Sequence, residues 1–342
     1  MKKKHLKILA FILSSLMIST LFSSCTKKTT TSSTTKVRLN EVTRSVFYAP
    51  MYAAINKGFF KDNEIDLDIS TGQGADKTMQ EVLSNNADIG FCGPEQVIYI
   101  YNQHRQDYPI LFAQLTQKDG SFLVGRKEEK DFSWSSLKGK TIIGGRPGGV
   151  PEMALEYVLK DKGLKIGKDV NVITNIDFSA VGGAFKGGTG NYATLFEPTG
   201  SLLNESKSGY IVSSVGTEAG ELPYTCFFTT KSYMNKNKGA IQKFTNAIYK
   251  GQLWVKNHSD KEVALAIKSF FPGTSESLLE NSVKNYRKIG AFAETPTLSQ
   301  KDLTRLMDII QAYKSSLIKE RPAFNTIVNN SFAKEAAQKS NK

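Results

Sequence analysis

The run Asp88-Ile89-Gly90-Phe91-Cys92-Gly93-Pro94-Glu95 decides how this chain folds. The apolar stretch Ile89 to Cys92 is short enough for a buried strand, Gly93 ends it, and Pro94 presets the backbone for a helix that starts at once. A strand over Asp88–Gly93 and a helix over Pro94–His104 form one unit of an alternating series. Before it come strands over Val37–Val42 and Asp66–Ser70 with helices over Pro50–Gly58 and Ala75–Ser84, and after it a strand over Pro109–Leu115. Such alternation predicts a parallel sheet with helices on both faces.

A second series has strands over Phe122–Gly125, Thr141–Gly144, Val170–Ile176, Ala193–Phe196 and Tyr210–Val215, and a helix over Pro151–Lys162. Tyr224–Thr229 reads as a strand returning to the first lobe. Helices over Ala240–Asn257, Lys261–Phe270, Ser275–Lys288 and Ser299–Ser316 then clad the body, broken at His258-Ser259-Asp260 and Pro272-Gly273-Thr274. From residue 25 onward there are 318 residues, more than one core holds. The expected class is α/β, with two α/β lobes and a cleft between them: lobe one over 37–117, lobe two over 118–223, and the return with its helices over 224–342. Hinges are expected near Thr116–Phe122 and Glu221–Thr225.

Hydrophobic residues make up 40% and charged residues 23%, and the mean hydropathy of -0.30 excludes a multi-span membrane protein. The net charge of +13 falls to +9 without Lys2, Lys3, Lys4 and Lys7, and the remaining lysines are scattered among acids, as in Lys127-Glu128-Glu129-Lys130. That is a solvated surface, and no nucleic-acid partner is expected.

Residues 1–7 are basic, Ile8 to Phe22 is a mostly apolar run of 15 residues, and Ser23-Ser24 precedes Cys25. This reads as a signal peptide over 1–24, its apolar run short of the roughly 20 residues a permanent span needs. Small residues directly before a cysteine resemble the lipobox of bacterial lipoproteins, with Phe22 where that pattern prefers Leu. The resemblance implies lipidation of Cys25 and anchorage to the outer face of the cytoplasmic membrane. Residues 25–36, rich in Thr, Ser and Lys, have nothing to bury and read as a tether. Cys92 and Cys226 sit in apolar runs and read as buried small hydrophobes rather than a disulfide or metal pair.

Tyr48-Ala49-Pro50-Met51-Tyr52-Ala53-Ala54-Ile55-Asn56-Lys57-Gly58-Phe59-Phe60, Gly74-Ala75-Asp76, Asn86-Ala87-Asp88-Ile89-Gly90 and Phe196-Glu197-Pro198 together resemble the thiamine-pyrimidine-synthase-like group of substrate-binding proteins. The last triplet has Phe where the group has Trp. The resemblance implies a type II periplasmic-binding-protein fold and service to an ABC importer for thiamine pyrimidine precursors, riboflavin, sulfonates, taurine or nitrate. It implies a small-molecule ligand, a permease with its ATPase as partners, and action as a monomer. The group also contains a pyrimidine-synthesising enzyme with a pyridoxal cofactor, a pocket His and a Cys-rich iron-binding segment, which nothing in the mature chain matches.

Ligands of open parallel sheets sit beyond the carboxyl ends of the strands. That nominates Arg44, Ser45, Phe47 and Tyr48 after the first strand, Gln73 and Gly74 after the second, Gly93 and Glu95 after the third, and Gln114 at the fourth. In lobe two it nominates Arg146, Gly148, Gly149 and Glu152, then Phe178, Tyr192 and Glu197. Phe47 and Tyr48 would serve equally as a helix-entry staple in the core. The turn Gly144–Pro151 lacks the Gly-Lys-Ser/Thr of a P-loop and the Gly-x-Gly-x-x-Gly of a dinucleotide fold, and Gly182–Gly190 reads as flexible, a cleft wall or a long loop. Glu95 and Glu152 each open a helix, where an acid complements the helix dipole for about 0.3 to 1 kcal/mol with no ligand at all. Two carboxylates at a cleft also favour an N–H-donating heteroaromatic over a sulfonate, which they would repel. His5, His104 and His258 offer no nucleophile and base pair, so no enzyme, cofactor or metal is expected.

Overall fold

The computed structural model describes residues 34–340. The expected signal peptide, Cys25 and most of the expected tether lie outside the described residues. The first described strand, β1 (Thr35–Glu41), pairs Thr35 with Ile65 and Lys36 with Asp66, so the last two residues of the expected tether belong to the sheet. Strands follow as β2 (Ile65–Thr71), β3 (Ile89–Cys92), β4 (Pro109–Thr116), β5 (Phe122–Gly125), β6 (Thr141–Ile143), β7 (Asn171–Ile173), β8 (Tyr192–Leu195), β9 (Tyr210–Ser214) and β10 (Thr225–Thr230). They form two five-stranded sheets, β2-β1-β3-β10-β4 and β7-β6-β8-β5-β9.

Both sheets are mixed, which corrects the expectation of a parallel sheet. β10 runs antiparallel to β3 and β4, and β5 antiparallel to β8 and β9. The cause is the connectivity. β5 and β10 are the strands by which the chain enters each lobe from a crossover at the cleft, so they run away from it while the strands of the α/β units run towards it.

The helices that matter here are α1 (Ala49–Asn56), α2 (Ala75–Leu83), α3 (Glu95–Tyr101), α4 (Val150–Asp161), α5 (Val181–Lys186), α6 (Thr199–Glu205), α7 (Val215–Ala219), α8 (Lys238–Asn257), α9 (Asp260–Ile267), α10 (Glu276–Lys288), α11 (Gln300–Tyr313) and α12 (Ser331–Ser340). α8 buries Ile241, Phe244, Ile248, Gly251 and Val255 along one face. A Cβ on Gly251 would stand 2.2 Å from the Pro50 carbonyl, so glycine is what lets α8 lie against α1. α9 starts at a capping box of Ser259 and Glu262, and α10 and α11 start at Ser275 and Ser299. The expected flexible segment Gly182–Gly190 instead opens with α5, because Val181 and Phe185, one helical turn apart, insert into a small core with Val124, Ile143, Ala193, Leu195 and Leu203. The sequence reading has no counterpart to α6, α7 or α12. One larger apolar cluster runs from Val37 through Leu123 and Met153 to Phe332 and so spans both sheets.

Candidate functional site

The loop after β1 carries Ser45, Phe47 and Tyr48 to the junction of the lobes. Ser45 Oγ accepts from the Phe47 amide at 3.2 Å, winding Val46–Tyr48 into a 3-10 turn, and donates to the Glu197 carbonyl of lobe two at 3.1 Å. The buried Phe47 ring has Tyr286 at 4.8 Å, Tyr224 at 5.5 Å and Phe196 at 5.9 Å, while Tyr48 meets Phe91 edge-on at 4.7 Å. Phe178, 52% exposed, extends this wall by packing 5.3 Å from Phe196. Tyr224, Tyr286 and Phe196 were not nominated from the sequence. Tyr224 lies in the second crossover and Tyr286 on α10, and nothing in their local pattern separates them from core residues.

Glu95, on the first turn of α3, is 1% exposed. Its carboxyl folds back over Gly93, where a Cβ would stand 2.0 Å from Oε2, so the strand must end in glycine. Oε1 receives a long 3.4 Å contact from Gln96 Nε2, the carboxyl lies by its own backbone amide, and Oε2 has no hydrogen-bond partner. Burial raises its pKa to about 7, opposed chiefly by the Arg146 guanidinium of lobe two. Arg146 also faces Asp76 of α2 at 3.8 Å. Beside it, Tyr99 of α3 donates its hydroxyl to the Gly148 carbonyl at 3.0 Å, clasping the turn that Gly149 closes at the start of α4.

Glu152 has the matching position in lobe two, with Gly144 beneath it. Its Oε2 accepts from the Gly145 amide at 2.8 Å, and burial with Glu156 nearby pushes its pKa up to about 8. Its Oε1 is buried with no partner, as Oε2 of Glu95 is, so the two acids differ in the amide that holds Glu152 at its own strand-to-helix junction. Arg44 is engaged elsewhere. It pairs with the buried Glu41 at 2.7 Å and lies over the Tyr52 and Phe270 rings. Tyr192 stands at the amino end of β8, not its carboxyl end, and donates to Glu129 Oε1 at 2.7 Å, away from the cleft. The Glu197 carboxylate accepts from Ser201 Oγ at 2.8 Å, the Ser201 amide at 2.9 Å and Asn285 Nδ2 at 2.6 Å, at a cis Glu197–Pro198 peptide. Gln73 is exposed with a positive φ, the Gly74 amide donates to the Val42 carbonyl, and the Gln114 backbone is held by Pro296 and Gln252.

Cys92 and Cys226 are buried free thiols paired across β3 and β10. Burial pushes both thiols up, so neither is poised as a nucleophile. His104 is exposed, and His258 stacks on Trp254 with its Nδ1 2.7 Å from that residue's carbonyl. Among the described residues no group of three His, Cys, Asp or Glu side chains could hold a metal ion.

Two mixed α/β sheets, two crossovers, and a buried acid beside an aromatic wall where the lobes meet define a binding protein of the two-lobed periplasmic fold. The chain belongs to the NMT1/THI5-like family, whose model matches residues 46–262. A Bacillus subtilis relative, named "Putative binding protein YtlA", is 46% identical over 305 residues, which is 89% of this chain and 90% of that protein. Two solved structures show the same fold. The ligand-binding component of an ABC-type import system from Staphylococcus aureus superposes with a TM-score of 0.70 at 13% identity, covering 88% of this chain and 99% of that one. The alkanesulfonate-binding protein SsuA from Xanthomonas axonopodis pv. citri gives 0.67 at 13% identity, covering 86% and 98%.

Proposed function

We propose that this protein is the solute-binding receptor of an ABC importer. It takes a small heteroaromatic vitamin precursor of the thiamine-pyrimidine kind between its lobes, closes over it about the crossovers at 116–122 and 221–225, and hands it to a permease and its ATPase. Closure follows from contacts made to both lobes at once, since binding energy available only in the closed form selects that form. The chain works as a monomer held to the membrane by a lipid on Cys25.

The observation that carries the ligand class is Glu95, a buried carboxyl with one oxygen unpartnered, beside the aromatic wall of Phe47, Tyr48 and Phe196. Such a group suits a flat solute with N–H donors. Stacking on an aromatic is worth roughly 1 to 3 kcal/mol and a hydrogen bond about 0.5 to 3, at the upper end where one partner is charged. A few of each, less the ordering costs, reach the roughly 8 kcal/mol of micromolar binding. Riboflavin ranks next. An alkanesulfonate ranks third, favoured by the Arg146 cation at the cleft and opposed by Asp76, which already faces that cation, and by Glu95 wherever it is ionised.

Calorimetry against hydroxymethylpyrimidine, formylaminopyrimidine, riboflavin and taurine tests this reading. The expected result is micromolar or tighter binding of a heteroaromatic solute, lost in Glu95→Leu. Binding of taurine alone would overturn it.

A further inference from the structure

Glu95 meets neutral groups on most sides. Tyr48, Tyr224 and the thiols of Cys92 and Cys226 face it from the loop after β1, the second crossover, β3 and β10, with Gln96 and Tyr99 on its own helix. The charged groups near it are Arg146 from the turn before α4 and Asp76 from α2, which face each other at 3.8 Å and are 46% and 56% exposed. The cation is therefore shared with a second acid and bathed in solvent, while Glu95 is 1% exposed with Oε2 unmet. A buried acid without a committed counter-ion lowers its energy by keeping its proton.

We propose that Glu95 works as a neutral carboxylic acid, its O–H and C=O together reading an adjacent acceptor and donor on one edge of the solute. The ring nitrogen and amino group of an aminopyrimidine form such an edge, as do the carbonyl and N–H of a flavin imide. A sulfonate, with acceptors only, does not. This deepens the ligand class proposed above and rests on it. One proton stays in the complex, whichever of the two partners carries it, so above the point where unliganded Glu95 ionises the receptor must take up a proton to bind. The raised pKa of about 7 puts that point in the neutral range.

The test is calorimetry of the full folded protein with hydroxymethylpyrimidine and with riboflavin from about pH 6 to pH 9. Linkage then weakens wild-type binding up to about tenfold per pH unit above neutrality. Glu95→Gln presents an N–H and a C=O without a titrating proton, so it keeps binding and lacks this slope. Any titration of the solute itself appears equally in both proteins. Equal slopes in the two, or wild-type binding that tightens with pH, overturn the proposal.

If neither probe binds, the heteroaromatic reading and the edge recognition fall together, and the unliganded proteins decide the proton alone. Because the folded-state pKa is raised from 4.5 to about 7, the stability that Glu95 holds relative to Gln is fully present below about pH 4.5 and lost as pH rises through 7. A melting-temperature difference, wild type minus Glu95→Gln, that falls between about pH 5 and pH 8 keeps the proton on Glu95. A constant difference removes it.

Discussion

Ser45 Oγ donates to the Glu197 carbonyl at 3.1 Å across 152 residues of sequence, joining the loop after β1 to the corner that follows β8. It is a direct hydrogen bond between the lobes, and the same hydroxyl caps the turn that presents Phe47 and Tyr48. Ser45→Ala removes both roles. We expect about 0.5 to 1.5 kcal/mol of lost stability, read as a lower urea midpoint, together with a larger radius of gyration in small-angle scattering of the unliganded protein. A radius unchanged from wild type would mean that this bond does not hold the lobes together.

Tyr99 clasps the glycine-rich turn through the Gly148 carbonyl, and the Gly149 amide donates within that turn to the Arg146 carbonyl at 3.0 Å. Tyr99→Phe keeps the ring and deletes the clasp. Hydrogen exchange at Gly149 should accelerate severalfold with little change in α3. Protection equal to wild type would show that the turn is rigid without Tyr99.

The Arg44 and Glu41 pair gives a pH-dependent prediction. Glu41 is fully buried, and burial raises its pKa against the opposing pull of Tyr52, Thr71 and Arg44. Arg44→Met leaves that carboxylate without its cation, at a cost of about 2 kcal/mol once the partial exposure of Arg44 is allowed for. Without the cation the Glu41 pKa rises further, so the deficit against wild type is largest at high pH and shrinks as falling pH protonates Glu41 in both proteins. Denaturant midpoints at several pH values check it, and a deficit that grows towards acid would refute the pairing.

Gly216 lies in α7 where a Cβ would stand 2.0 Å from the Asp119 carbonyl of the first crossover. Gly216→Ala must push the crossover away, so we expect a loss of about 1 to 3 kcal/mol and weakened ligand-induced closure. An alanine variant as stable as wild type would show that the crossover yields freely.

The proposed lipid anchor is tested at Cys25. Cys25→Ala should leave the precursor uncleaved or release the protein into the medium, and partitioning into a detergent phase should fall. Partitioning identical to wild type would remove the anchor.

The two-lobed α/β class was legible because hydrophobic period and glycine or proline breaks are local, as in Asp88 to Glu95. Strand direction was not, because β10 reads the same whether it runs with or against β3; only the point of re-entry decides. The site shows the same division. Ser45, Phe47, Tyr48 and Glu95 follow strand ends that the sequence marks, and all of them reach the junction of the lobes. Arg44 and Tyr192 sat in plausible places too, but Glu41 and Glu129 hold them elsewhere, and such pairings depend on residues brought close only by folding. Tyr224 and Tyr286 were hidden for a simpler reason: an aromatic in an apolar run or on an amphipathic helix looks like core, which each of them also is.

The place of β10 between β3 and β4 governs how the molecule is assembled as it is made. The sheet of lobe two draws all five strands from one continuous stretch, Phe122 to Ser214, whereas the sheet of lobe one lacks an interior strand until residue 230 has emerged. Lobe two can thus close its own hydrogen-bond ladder while lobe one still waits with two unpaired strand edges, and contacts so distant in sequence form slowly. Until then the half-built first lobe is the part most exposed to wrong pairing and to proteases.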